Sequence, residues 1–441
     1  MIASVLVAKY AWHLPLYRQA QMLGAQGIDI KRAVLAFWVG YAAAELKPVY
    51  LRLREFILAS AKIAVDETIA PVLDPGRGRT KQGYFWAVAR DDRPWGGADP
   101  PAIAFSYAPG RGAVHGLKLL EGYRGIVQCD GYAAYKKIAA TPGEAITLAF
   151  CWTHLRRRFF DIAKGGDAPI ASEALERIAA LYGIEKTIRG MSADDRRRVR
   201  QDKSKPLVAS LKAWFEQQLA RVSVKAKIAD EIRYGLNHWD GLTRFLDDGC
   251  IELDTNIVER GIRPIVLNRK NALFAGHDHG AENWACIASL IETCKLTGVE
   301  PQAYLTDVLT KLLNLWPASR LDELMPWAWA AEHSARKLAA QRHLRPEKQA
   351  IRTVGPEDRL RLSTSKQRNT IRADSTKKRG PSCTRGQRTR ASRQASFRRS
   401  CQVSHGGPRQ EVIIKTGGHF SRWPLSLFKP FCSKCSWQVV G

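Results

Sequence analysis

The chain has 441 residues, a formal net charge of +27 and a pI near 9.9, enough for two or three domains and a surface that favours a polyanionic partner. Nine cysteines without a regular framework argue against a disulfide scaffold and for a reducing, cytoplasmic setting. The apolar run Val34–Ala44 is far shorter than the roughly 20 residues of a membrane span, and Met1–Val7 lacks the basic flank of a signal peptide, so no membrane association is expected.

Leu14, Leu16, Ala20 and Leu23 recur at helical spacing, Gln26–Ile30 breaks the period at a glycine, and a second helix starts near Lys31. Residues 1–58 therefore read as a helical region. It is either a helix-turn-helix presenting Lys31 and Arg32 to phosphates or an ordinary helical hairpin. From residue 59 the period changes. Lys62–Val65, Tyr84–Ala89, Ile103–Tyr107, Gly125–Cys129 and Ile146–Phe150 are rich in β-branched and aromatic residues and predict five strands. Turn-forming residues separate the first runs, whereas helical segments near Leu117 and over Tyr132–Ile138 separate the later ones. Residues 59–152 are thus expected to form a mixed α/β sheet.

Residues 153–250 are helix-forming and charged, with no convincing strand, and read as a helical insertion in that core. The core resumes over 251–300, with a helix at Ala285–Leu296, and a C-terminal helical region over 301–344 includes Pro301–Leu313. Beyond residue 344 the period dissolves. Residues 351–441 carry 20 Lys and Arg against 4 Asp and Glu, so 345–441 is expected to be a basic, disordered tail. Its Cys432 and Cys435 have metal-ligand spacing, but a single pair is weak evidence for zinc.

Two carboxylates stand where apolar runs end: Asp66 in Ala61–Thr68, and Asp130 in Val127–Tyr132, where Gly131 lets the backbone turn. Parallel pairing of the two strands would bring these acids together, at a cost that a divalent cation relieves. Mg²⁺ or Mn²⁺ suits such oxygen ligands. A third acid is expected downstream, and Leu253–Arg263 offers one. There Asp254 caps a helix with Asn256, Glu259, Arg260 and Arg263 at i, i+3, i+4 and i+7. Singly, each acid reads as a capping residue or a solvated ion-pair partner. Together they describe a two-metal phosphoryl-transfer site of the ribonuclease H type.

Seven segments occur in one order: His13–Gln19, Val65–Thr68, Cys129–Tyr135, Cys151–Phe159, Asp254–Arg260, Asn271–Gly276 and Ser289–Leu296. In them the chain resembles the insertion-sequence 66 family of bacterial DDE transposases over roughly residues 5–332. The resemblance implies a ribonuclease H-like, retroviral-integrase-like fold with Asp66, Asp130 and Glu259 as an acidic triad. Glu282 and Glu292 are rivals for the third place. It implies cleavage at element ends, attack of the freed 3′-hydroxyl on target DNA, and a homo-oligomer working on double-stranded DNA near the nucleoid with element-encoded helper proteins. Arg260, Arg263, Arg269 and Lys270 would neutralise phosphates. Cys151 and His154 form a Cys-x-x-His pair without further zinc ligands in sequence, which favours a buried structural role beside the active site, with His154 as a contact to DNA or the metal shell as the alternative. Arg156, Arg157 and Arg158 follow within reach of a DNA backbone.

Two departures from the family are expected to matter: a missing N-terminal segment, with coiled-coil-like and cysteine-rich parts, and the unfamiliar tail. They motivate two alternative functions, a non-catalytic DNA-binding remnant and a ribonuclease H-like nuclease.

Overall fold

The computed structural model describes residues 1–335 apart from 75 and 144, together with the backbones of two strands at 411–416 and 419–424. Its centre is a five-stranded mixed sheet of β1 (Lys62–Asp74), β2 (Arg79–Arg90), β3 (Ala102–Ala108), β4 (Arg124–Cys129) and β5 (Ala145–Phe150), in the order β3-β2-β1-β4-β5. β1, β2 and β3 pair antiparallel, while β4 and β5 run parallel to β1. All five predicted strands are present. One detail differs: Asp66 does not end β1, which continues to Asp74 because β2 pairs with it from Ala64–Ala89 out to Asp74–Arg79. What ends near Asp66 is the parallel pairing with β4, whose last partners are Ala64 and Gln128.

Three helices precede the sheet: α1 (Ile2–Tyr10), α2 (Leu16–Ala25) and α3 (Arg32–Leu58). Gly27 makes the turn between α2 and α3 at φ +80°, a conformation that glycine adopts without strain. Leu35, Val39, Ala42, Leu46, Val49, Leu53 and Ile57 recur every three or four residues along α3 and are all buried. Within the sheet, α4 (Ala113–Leu119) joins β3 to β4 and α5 (Ala133–Ala139) joins β4 to β5.

After β5 come α6 (Trp152–Ala163), α7 (Pro169–Ile188), α8 (Ala193–Val199), α9 (Lys205–Arg221), α10 (Lys227–Asn237) and α11 (Trp239–Thr243). A π-helical turn, Arg200–Ser204, joins α8 to α9. Within it the fully buried Arg200 grips both Glu185 oxygens, at 2.8 and 2.7 Å, and the carbonyls of Phe245 and Asp248. The two ends of this helical stretch meet, since Trp152 N–H donates to the Leu253 carbonyl at 2.8 Å.

The chain then forms α12 (Asn256–Ala272), α13 (Asp278–Leu296) and α14 (Pro301–Leu313). Helix α13 is buried on every side from Trp284 to Cys294 and seals the sheet edge. Phe105 N–H donates to Ser289 Oγ at 2.8 Å, and Ile103 N–H to Thr293 Oγ1 at 3.1 Å, so the outer backbone groups of β3 are capped by side chains. No helix among the described residues is long and apolar enough to cross a membrane. In a separate unit, β6 (Glu411–Thr416) and β7 (His419–Pro424) pair antiparallel, against the expectation of a tail without regular structure. The rest of that tail, including Cys432 and Cys435, lies outside the described residues.

Candidate active site

Successive strand residues face opposite sides of a sheet, so the adjacent acids Asp66 and Glu67 are sent to different environments. The Glu67 side chain is 1% exposed. Its Oε1 pairs with Arg111 Nε at 2.5 Å and its Oε2 accepts the Tyr135 hydroxyl at 2.5 Å. Arg111 also lies over the Tyr132 ring, 3.8 Å from its centroid, which ties the niche to the loop after β4.

Asp66 faces the other way, into an open cleft of about 460 Å³ that it shares with His154, Arg157, Glu259 and Arg263. Among the described residues its only hydrogen bond comes from the Glu67 backbone N–H, at 2.8 Å. Burial, then the neighbouring Glu67 charge, push its carboxyl up to about 7, with Asp130 adding to the rise. Asp130 follows the end of β4, two residues beyond the last β1–β4 partner Gln128; its charge reaches Asp66, but it is not among the residues that line the cleft. Its Oδ1 accepts the Tyr132 N–H at 2.9 Å, which closes a tight turn.

Gly131 is needed here for a reason other than backbone turning. Its φ is not in the left-handed region. A Cβ at this position would lie 2.5 Å from the Tyr234 hydroxyl and 2.6 Å from His238 Nε2, so α10 and the residue after it leave no room for a side chain.

Glu259 rises from the first turn of α12, which packs across β1, and accepts a 3.4 Å hydrogen bond from Thr255 Oγ1. The rivals for the third acid lie elsewhere. Glu282 is half exposed beside His279, and Glu292 is buried on α13 and paired with Lys295 at 2.7 Å. Asp254 does accept the Asn256 N–H, at 3.1 Å, although the residue at the N-cap position is Thr255. The expected single face of Asn256, Glu259, Arg260 and Arg263 divides. Glu259 and Arg263 line the Asp66 cleft, whereas Asn256 and Arg260 line an adjoining cavity of about 240 Å³ with Lys62, Arg196, Glu252 and Asp254.

The remaining basic candidates differ in their surroundings. Arg156 and Arg157 are exposed on α6, and Lys270 is exposed near the end of α12. Lys31 and Arg32 are exposed at the start of α3. Arg158 is held by Glu231 at 2.8 Å and lies over the Tyr234 ring. Arg269 donates to the Ile69 carbonyl, which secures β1 beyond Asp66.

Cys151 and His154, partnerless in sequence, acquire a neighbour in space: one ligand atom each from Cys151, His154 and Glu259 lie within 4.8 Å of one another. Sequence reasoning missed this because Glu259 arrives from another helix. It missed Glu67, Arg111 and Tyr135 as well, although the adjacent acids in Val65–Thr68 were the signal that one would need a partner behind the sheet.

The profile of the transposase IS66 family matches residues 1–283, and that of the IS66 C-terminal element matches residues 289–327. Two proteins of Sinorhizobium fredii (strain NBRC 101917 / NGR234) are similar over most of the chain: the uncharacterized protein y4qI is 42% identical over 332 residues and the uncharacterized protein y4jD 43% identical over 337. These alignments take in 74% and 75% of this chain but 62% and 66% of the relatives, so the chain spans about two thirds of the length of the curated relatives it matches. The family matches run through the sheet, the cleft and α13, and the chain belongs to the IS66 family of transposases.

Proposed function

We propose that the chain carries the catalytic core of a DDE transposase, with Asp66, Asp130 and Glu259 as its acidic triad. The observation that supports this most is the shared cleft of Asp66 and Glu259, reached from β1 and α12 across about 190 residues of sequence, with the charge of Asp130, just past β4, felt at Asp66. The strand order, three antiparallel strands followed by two parallel ones, supports a ribonuclease H-like fold with residues 153–250 inserted into it.

Three carboxylates with spare oxygen lone pairs fit a hard cation, and burial, then the Glu67 charge, raise the Asp66 carboxyl, a cost that a bound cation would relieve. When bound there, two Mg²⁺ or Mn²⁺ ions would supply Lewis-acid activation of the attacking oxygen and stabilisation of the leaving one. The protein's own part is positional. Arg157 and Arg263 flank the acids and would hold the phosphates on either side of the scissile bond. Arg156, Arg260 and Lys270 would extend that track, and Lys31 and Arg32 would meet DNA through the α2–α3 pair. Work as a homo-oligomer on element ends, with helper proteins and beside the nucleoid, belongs to the same reading.

The test is incubation of the purified chain with DNA bearing its element's terminal repeats and Mg²⁺ or Mn²⁺, with Asp130→Asn as control and products resolved on a denaturing gel. Cleaved and joined strands with the native chain alone are expected. Equal cleavage by the variant would remove Asp130 from the chemistry. Cleavage without joining would favour a nuclease, and salt-sensitive binding without cleavage a DNA-binding remnant.

A further inference from the structure

Glu259 lies at the junction of two donor sets. Toward Asp66 the ligands are oxygens; toward the start of α6 they are a sulfur and an imidazole. Cys151 is 2% exposed and lies between the last residue of β5 and the first turn of α6. The Thr255 N–H points at its sulfur from 3.4 Å, the contact that a metal-bound thiolate receives. His154, one turn further on, has a buried Nδ1 with no hydrogen-bond partner among the described residues. The cavity wall that carries His154 also carries Glu259 and Asp66, so the group opens onto the cleft.

We propose that Cys151, His154 and Glu259 form a binding site for a thiophilic divalent cation of the Zn²⁺ class. One thiolate, one imidazole and one carboxylate with an open fourth position is a ligand set that zinc accepts and magnesium does not. Zn–S near 2.3 Å and Zn–N or Zn–O near 2.0 Å set ligand separations of roughly 3.3–3.5 Å in a tetrahedral site. The ligand atoms here lie within 4.8 Å, so closure by about 1 Å is required, and side-chain rotations of Cys151, His154 and Glu259 would have to supply it. On uptake the thiol proton leaves to solvent and the sulfur–metal bond replaces it. Since Glu259 cannot serve both sites fully, a thiophilic ion would compete with the hard cations. That competition rests on the proposed function; the binding itself does not.

The probe is Co²⁺ added to the metal-free full chain, read by absorption. A thiolate-to-cobalt charge-transfer band with tetrahedral visible bands is expected, displaced by Zn²⁺ and not by Mg²⁺. Cys151→Ser should abolish the charge-transfer band, and His154→Ala should weaken Co²⁺ binding by about 100-fold or more. A Cys432→Ser/Cys435→Ser variant should keep both. No band in the native chain, or a band that survives Cys151→Ser, overturns the proposal. If Cys151→Ser does not fold, unchanged cobalt affinity in His154→Ala and Glu259→Gln overturns it equally. A missing cobalt band leaves the cleavage reading standing, and missing cleavage leaves the cobalt result standing, so the two failures are separable.

Discussion

Asp66 and Glu67 are neighbours in the chain and opposites in the fold. Glu67 sits behind the sheet with Arg111 and Tyr135 on its two oxygens, so its charge is matched inside the protein. Asp66 sits in front, and among the described residues its carboxylate receives a single hydrogen bond, from a backbone N–H, and no ion pair. The structural acid is the satisfied one, and the acid left to be satisfied from outside is the candidate for chemistry.

That contrast is most directly broken by removing the front acids. Asp66→Asn, Asp130→Asn and Glu259→Gln are each expected to lower strand cleavage by about 1,000-fold or more while the far-ultraviolet circular dichroism stays native. A variant that keeps cleavage takes its residue out of the triad.

Behind the sheet the same kind of change should act on stability. Arg111→Met leaves Glu67 buried against a single hydroxyl and is expected to cost about 3 kcal/mol in chemical denaturation, less than a fully buried pair because Arg111 is partly exposed. An unchanged unfolding midpoint would mean that Glu67 finds another partner.

Removing the front charge should do the reverse. In the metal-free protein the Asp66 carboxyl is raised to about 7, so the folded state favours its protonated form; stability from this group is present at low pH and is lost as pH rises through about 7. Asp66→Asn cannot lose it. The variant should therefore be more stable than the native chain by on the order of 2 kcal/mol at pH 8, with the gain fading toward pH 4. A gain independent of pH would show that the carboxyl is not strained by its neighbours.

The smallest effect separates the cleft arginines, which have no ion pair among the described residues, from a paired one. Arg157→Ala and Arg263→Ala should each weaken DNA binding several-fold and lower the salt slope by about one. Arg177→Ala, whose guanidinium is held by Glu173 on α7, should change neither. Equal losses in all three would indicate a diffuse field in place of a track along the cleft.

The sheet was legible because strand periodicity and turn chemistry are local. β1 was read too short since Glu67 and Thr68 look like a strand end; only the pairing with β2 shows them inside a long hairpin. Asp66 and Asp130 could be singled out because carboxylates at the ends of apolar runs are conspicuous, and Glu259 because it shares a helix face with Asn256 and arginines and falls within the family's motif. What joined Glu259 to Cys151 and His154, divided the α12 face between two cavities, and made Gly131 a clearance residue was tertiary packing, which no period in the chain records.

Gly131 also bears on how far this chain could be shortened. The helices between α6 and α11 begin and end at one point, so splicing Cys151 directly toward Leu253 looks geometrically permissible. Yet His238, just after α10, reaches back to within 3.2 Å of the Gly131 carbonyl, and Tyr234 stands beside the same residue. A trimmed chain would keep its acids and lose the wall that holds the second one in place. Any minimal version must carry α10 with it, or build that wall from something else.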